Sequence, residues 1–119
     1  MIERLHHVQV SCPPGSEDAL RAFYGGVLGM AEVSKPPVLA ARGGVWFRSG
    51  AAEIHCGVED DFRPARKAHP ALLCTDLDSQ VASCAAAGYD PRWGDNLPGF
   101  RRCYVIDPVG NRLELLESL

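Results

Sequence analysis

The 119 residues carry 12 Lys and Arg against 15 Asp and Glu, a net charge of −3, with 46% hydrophobic and 23% charged residues. This balance gives one small domain enough apolar material for a core, and it offers no basic face for a nucleic-acid partner. No apolar run approaches the roughly twenty residues of a membrane span, so no membrane partner is expected.

Met1-Ile2-Glu3-Arg4 runs directly into strand-like sequence, without the charged and apolar regions of a signal peptide. Five cysteines, Cys12, Cys56, Cys74, Cys84 and Cys103, are an odd number with no CxxC spacing. That excludes a disulfide framework and a structural zinc site, and places the chain in a reducing cytoplasm with its cysteines serving as small buried hydrophobes.

In chain order, the alternation Leu5-His6-His7-Val8-Gln9-Val10 predicts a first strand, broken by Pro13-Pro14-Gly15. Ser16 stands as N-cap of a helix whose first turn holds Glu17 and Asp18. Its apolar positions Ala19, Leu20, Phe23, Tyr24 and Val27 keep helical spacing up to a left-handed cap at Gly29. Strands are expected over Ala31–Val33, Val45–Arg48 and Ala52–Cys56, with Gly43-Gly44 and Ser49-Gly50 as turns and Lys35–Gly44 as a loop. The charged stretch 58–67, with Arg63, Arg66 and Lys67, reads as a solvated linker between a unit at 1–57 and a unit at 68–119.

The second unit replays the first. A strand over His69–Cys74 leads to Asp76 as N-cap of a helix through Ala87, ended by Gly88. Tyr89–Trp93 and Arg101–Ile106 follow as strands, Asp107-Pro108-Val109-Gly110 as a turn, and Asn111–Leu116 as the last strand. His7 and His69 begin equivalent strands 62 positions apart (69 minus 7), and His55 and Glu114 sit on equivalent final strands 59 apart (114 minus 55). Two copies of one βαβββ unit in an α+β fold explain both offsets.

Strand alternation then sorts the side chains. Glu53 and His55 share a face against Ile54 and Cys56, while His7 and Gln9 oppose Val8 and Val10. Arg112, Glu114 and Leu116 oppose Leu113 and Leu115, and Tyr104 shares its face with Arg102 and Ile106, leaving Cys103 for the core. Polar groups therefore recur on one face of strands whose other face is apolar.

Four features in order, His7, Phe23-Tyr24-x-x-Val27-Leu28-Gly29, His69 and Asp107-Pro108-x-Gly110-Asn111-Arg112-Leu113-Glu114, resemble the vicinal-oxygen-chelate superfamily across essentially the whole chain. That superfamily includes glyoxalase I, bleomycin-resistance proteins, fosfomycin-resistance transferases and extradiol dioxygenases. The resemblance implies curved mixed sheets around a cavity with helices outside, a homodimer, and a small-molecule substrate with adjacent oxygens. It further implies a divalent metal ion (Zn, Fe, Mn, Co or Ni) held by His7, His55, His69 and Glu114. Glyoxalase I usually has glutamate where this chain has His55, so His55 is either a fourth ligand or a pocket residue. The fosfomycin-type transferases use only His–His–Glu, matching His7, His69 and Glu114, with a tyrosine matching Tyr104 in the substrate pocket.

Imidazoles with one carboxylate suit such ions and leave positions open for substrate oxygens. Tyr104 and Glu53 are the catalytic candidates, Glu53 as a base or as the partner of His55. The activity expected is that of an isomerase or lyase, a thiol transferase or an oxygenase. The alternative is a metal-free module that sequesters small molecules, as in the bleomycin-resistance type. His6 is expected to be a hydrogen-bonded structural residue, and Trp46, Trp93 and Phe100 to lie in the core or at its rim.

Overall fold

The structure, a computed structural model, describes all 119 residues. The chain divides into two units, Met1–Arg63 and Pro64–Leu119. The first holds β1 (Val8–Cys12), a short helix α1 (Glu17–Leu20) that continues as a π-helical segment (Arg21–Val27), β2 (Ala31–Val33), α2 (Pro37–Ala40), β3 (Val45–Ser49) and β4 (Ala52–Val58). Its sheet has the order β1-β4-β3-β2, with β1 parallel to β4 and the remaining pairs antiparallel. The second holds β5 (Ala71–Leu73), α3 (Leu77–Ala86), β6 (Arg92–Trp93), β7 (Phe100–Ile106) and β8 (Arg112–Ser118). Its order, β5-β8-β7-β6, repeats the first, again with the opening strand parallel to the closing one. The fold is α+β, two tandem βαβββ units each built on a four-stranded mixed sheet, and neither sheet closes on itself.

Each sheet buries one face under its own helical segment. In the first unit Val10, Cys12, Val45, Phe47, Ile54 and Cys56 pack with Leu20, Phe23 and Tyr24, all buried. The Tyr24 and Phe47 rings stack at 5.4 Å, and Phe23 meets Tyr24 edge-on at 5.0 Å. In the second, Cys103, Val105, Leu113 and Leu115 pack with Leu77 and Cys84. All five cysteines are free thiols, four of them buried.

Several local expectations are corrected. The first strand spans Val8–Cys12 rather than Leu5–Val10, because its parallel ladder runs from Val8 opposite Ile54 to Cys12 opposite Val58. His7 therefore precedes the strand. His69 likewise precedes β5, since Pro70 has no N–H to give the ladder and its carbonyl instead accepts from Glu114 N at 3.0 Å. Ser16 occupies the N-cap position but its hydroxyl donates to the Pro13 carbonyl at 2.7 Å and caps nothing. Asp76 does cap α3, accepting from Ser79 N at 3.0 Å and from the Ser79 hydroxyl at 2.7 Å.

The single helix expected from Ser16 to Val27 is α-helical for only four residues before it widens. Leu28 N donates to the Phe23 carbonyl, five residues back, at 2.9 Å. The wider turn lets the consecutive residues Phe23 and Tyr24 both reach full burial. Part of the expected loop Lys35–Gly44 is the helix α2, which opens with Pro37 in its first turn. Gly43 and Gly44, with φ of +76° and +84°, then turn the chain back into β3. A Cβ on Gly44 would stand 2.2 Å from the Cys56 carbonyl oxygen, so this turn lies hard against β4.

The Asp107-Pro108-Val109-Gly110 turn is tied by the Asp107 carboxylate, which accepts from Val109 N at 3.0 Å and Asn111 N at 2.9 Å. Asn111 Oδ1 accepts from Ala65 N at 3.0 Å, and Arg112 N donates to the Ala65 carbonyl at 2.9 Å. These bonds fix the start of β8, and with it the position of Glu114.

Candidate functional site

The sequence-predicted ligands fall into two pairs, one in each unit, and no three His, Cys, Asp or Glu side chains converge as a metal-holding group. In the first unit, register places Gln9 and Trp46 on either side of His55. The His55 ring is sandwiched: Trp46 stacks on it at 3.9 Å with the planes 4° apart, and His7 stacks at 4.0 Å and 18°. Its Nε2 lies 2.7 Å from Glu53 Oε2, while Glu53 Oε1 accepts from Arg48 Nε at 2.7 Å. The hydrogen bonds from His55 and Arg48 hold the Glu53 carboxyl down at about 2. Burial pushes the His55 imidazole below its ordinary value, against the opposing pull of Glu53. A neutral His55 donating Nε2–H to an ionised Glu53 keeps its lone pair on Nδ1. His6, expected to be structural, is exposed and shares a 2.9 Å Nδ1–Nδ1 hydrogen bond with His7.

The second unit pairs His69 with Glu114. Ala71 and Tyr104 flank Glu114 in register, and Glu114 is buried despite its charge. His69 Nδ1 donates to the Lys67 carbonyl at 2.7 Å, because a carbonyl can only accept. His69 Nε2 then faces Glu114 Oε2 at 3.4 Å. Arg102 completes the cluster, its NH1 donating to Glu114 Oε1 at 3.0 Å and its Nε to the Asp95 carbonyl. Tyr104 stands edge-on to His69 at 5.6 Å, with the Arg112 guanidinium stacked 3.8 Å from its ring centroid. A Cβ on Gly94 would meet the Tyr104 ring at 2.8 Å, so glycine there gives the ring its place.

The donor chemistry fits a divalent ion. His55 Nδ1 and His69 Nε2 are the nitrogens left as lone-pair donors once Glu53 and Lys67 take the other ring N–H groups, and each is oriented by that outer hydrogen bond. Glu114 adds an anionic oxygen facing His69. Imidazole and carboxylate of this kind serve Zn, Fe, Mn, Co or Ni.

Two site residues escaped the sequence reading. Trp46 was assigned to the core or rim, yet it stands half-buried on the face of His55. Arg102 was placed on the face of Tyr104 but not against Glu114. The signal for the first lies in register and not in the repeat: Trp46 stands opposite His55 as Tyr104 stands opposite Glu114, although the offset of 59 carries Trp46 to Val105. Trp93 is 52% exposed beneath the Arg101 guanidinium, and Phe100 is half-buried.

No protein-family model and no curated protein matches the chain. Solved structures do. A glyoxalase family protein from Bacillus anthracis is 43% identical, with a TM-score of 0.95 over 100% of this chain and 98% of that one. A mutant of the genomically encoded fosfomycin resistance protein FosX from Listeria monocytogenes, in complex with Mn(II) and 1S,2S-dihydroxypropylphosphonic acid, is 17% identical, with a TM-score of 0.80 over 100% and 95% of the chains. The lactoylglutathione lyase of Agrobacterium tumefaciens is 19% identical, with a TM-score of 0.68 over 92% and 91%. The last two likenesses are of fold. Two βαβββ units with this topology, together with the first relative, place the chain in the glyoxalase family of the vicinal-oxygen-chelate superfamily.

Proposed function

We propose that this protein is a divalent-metal-dependent enzyme acting on a small substrate with two adjacent oxygens. The observation that carries the reading is the second-unit pair, in which His69 is turned by Lys67 so that Nε2 faces the buried Glu114 carboxylate. Two such groups facing one another, each with its other polar atom tied back, are the arrangement a cation needs. The Mn(II) bound by FosX, a protein of the same fold, supports the same reading. The candidate ligands are His7 and His55 in the first unit and His69 and Glu114 in the second, and an ion held by them would supply Lewis-acid polarisation of a substrate oxygen.

The chain's own residues have separable tasks in this reading. Glu53 orients His55 through Nε2–H and, anchored by Arg48 with its carboxyl at about 2, is a fixed anion rather than a base near neutral pH. Tyr104, held between Gly94 and Arg112, offers its phenol to a substrate oxygen. Whether the reaction is that of an isomerase or lyase, a thiol transferase or an oxygenase depends on the substrate.

We also propose that the protein works as a homodimer. The sheets end in unpaired edges at β1, β2, β5 and β6, and Leu73 on β5 is 68% exposed. Light scattering should give twice the chain mass at micromolar concentration; a monomer there and above would refute it. The five free thiols support a cytoplasmic setting, and no helix is long and apolar enough to cross a membrane.

One observation favours the second reading, a metal-free sequestering module: Arg102 already neutralises Glu114 at 3.0 Å. A ligand screen by thermal shift with and without chelator, followed by activity assays on each hit, separates the two. The enzyme reading expects turnover that chelation abolishes. Ligands that stabilise the chelated and metal-loaded protein equally, with no turnover in either, would leave the module standing.

A further inference from the structure

In the first unit a cavity of about 460 Å³ opens beside His7 and His55. Its walls include Trp46, Lys35 and Arg42, and no aspartate or glutamate lines it. In a chain whose acids outnumber its bases 15 to 12, this is a local inversion of charge. Of the nine other arginines, Arg21, Arg48, Arg92, Arg101 and Arg102 are each engaged by a carboxylate, whereas Arg4, Arg63, Arg66 and Arg112 are not. Arg42 enters no ion pair, and it is carried into the wall by the turn at Gly43-Gly44.

That turn is not free to drift. Gly44 lies so close to the Cys56 carbonyl that even a methyl group is excluded, and the Lys35 ammonium donates to the Gly43 carbonyl. Lys35 is thereby held 5.7 Å from the centroid of the Trp46 ring with two of its three N–H donors still to spend. Lys35, tied to the Gly43 carbonyl, and the exposed Arg42 line one cavity with His7 and His55, and two cations there make a receptor for negative charge.

We propose that the substrate carries an oxyanion, a carboxylate or a phosphonate or phosphate, bound by Lys35 and Arg42 in this cavity. The inference rests on the reading of the site as a small-molecule enzyme and names the chemical class of its substrate. Lys35 and Arg42 are then its specificity residues. A substrate lacking the anion leaves both cations uncompensated, so the site discriminates against neutral analogues.

The test is run on the full chain with chelator present, so that its result does not depend on metal binding. Methylphosphonate, propionate and the neutral propionamide are titrated in turn, following the indole N–H resonance of Trp46 in a Trp93→Phe background. Both anions should shift that resonance saturably and propionamide should not, and the stronger anion identifies which oxyanion the site prefers. Arg42→Gln and Lys35→Gln should each weaken anion binding about tenfold. Arg63→Gln, an exposed arginine outside the cavity, should leave it unchanged. Mn(II) affinity measured separately should be the same in Arg42→Gln and wild type, which keeps this result apart from the fate of the metal reading. Propionamide binding as well as the anions, or unchanged anion affinity in both folded Gln variants, would overturn the inference.

Discussion

The two units share one topology and place equivalent residues at equivalent points, yet they surround them with opposite chemistry. In each, the closing strand carries the inward polar residue, His55 on β4 and Glu114 on β8, with an aromatic directly opposite on the antiparallel neighbour, Trp46 or Tyr104. In each, a histidine stands just before the opening strand. The first unit then stacks His55 between two rings, where burial lowers its affinity for a proton and the Glu53 carboxylate, itself paired with Arg48, takes its Nε2–H. The second builds an ionic environment, in which a buried carboxylate is bracketed by Arg102 and His69. The backbone positions repeat between the units. The side chains at them differ: the first unit places a stacked histidine where the second places a buried carboxylate.

The comparison can be broken hardest at Glu114. Glu114→Gln removes the anionic donor and leaves Arg102 facing a neutral amide, so metal affinity should fall about a hundredfold in calorimetric titration. Equal affinity in wild type and variant would remove the ionic unit from the site. At the equivalent position, His55→Ala should lower affinity about tenfold or more in the same titration, and an unchanged affinity would leave His55 a pocket residue.

Stability tests the core, where both units depend on apolar faces. Phe47→Ala opens a cavity beneath Tyr24 and should cost about 3–5 kcal/mol in urea unfolding. A value below about 1 kcal/mol would mean that the first sheet does not pack as described.

Glu53 sharpens the contrast further. Glu53→Gln keeps the size but loses the anion that fixes the His55 tautomer, and metal affinity should drop about tenfold. It also bears on pH. The folded carboxyl lies at about 2, below its ordinary 4.5, so its contribution to stability is complete above that ordinary value and is lost as pH falls toward 2. Urea midpoints across that window should fall in wild type and fall less steeply in Glu53→Gln. Parallel curves would contradict the link to His55 and Arg48.

The smallest effect is a cap. Asp76→Ala should destabilise α3 by about 1 kcal/mol, whereas Ser16→Ala, whose hydroxyl bonds Pro13 instead of the helix, should cost its own helix less as a cap. Thermal unfolding of the two variants distinguishes them, and equal losses would erase the difference between the helix starts.

These contrasts show where sequence reading reaches and where it stops. The repeat, the βαβββ order and the faces of Glu53, His55, Tyr104 and Glu114 were legible because strand alternation and turn residues are local signals. Arg102 against Glu114 was not, since a cross-strand pair needs register, which local pattern does not supply. The π-helical segment was hidden for a similar reason. Helical spacing from Ala19 to Val27 does not separate α from π winding, and the segment that winds wider is the one whose Phe23 and Tyr24 are both buried, Tyr24 stacked on Phe47. The strand starts at Val8 and Ala71 depend on where the parallel ladder finds partners, again a tertiary fact.

The most direct measurement is the metal content of protein purified without chelator, determined by elemental analysis beside the His69→Ala and Glu114→Gln variants. The account predicts about one divalent ion per chain in the wild type and little in either variant. A wild-type protein that carries no ion and takes none up from added Mn(II), Zn(II), Fe(II), Co(II) or Ni(II) would contradict it.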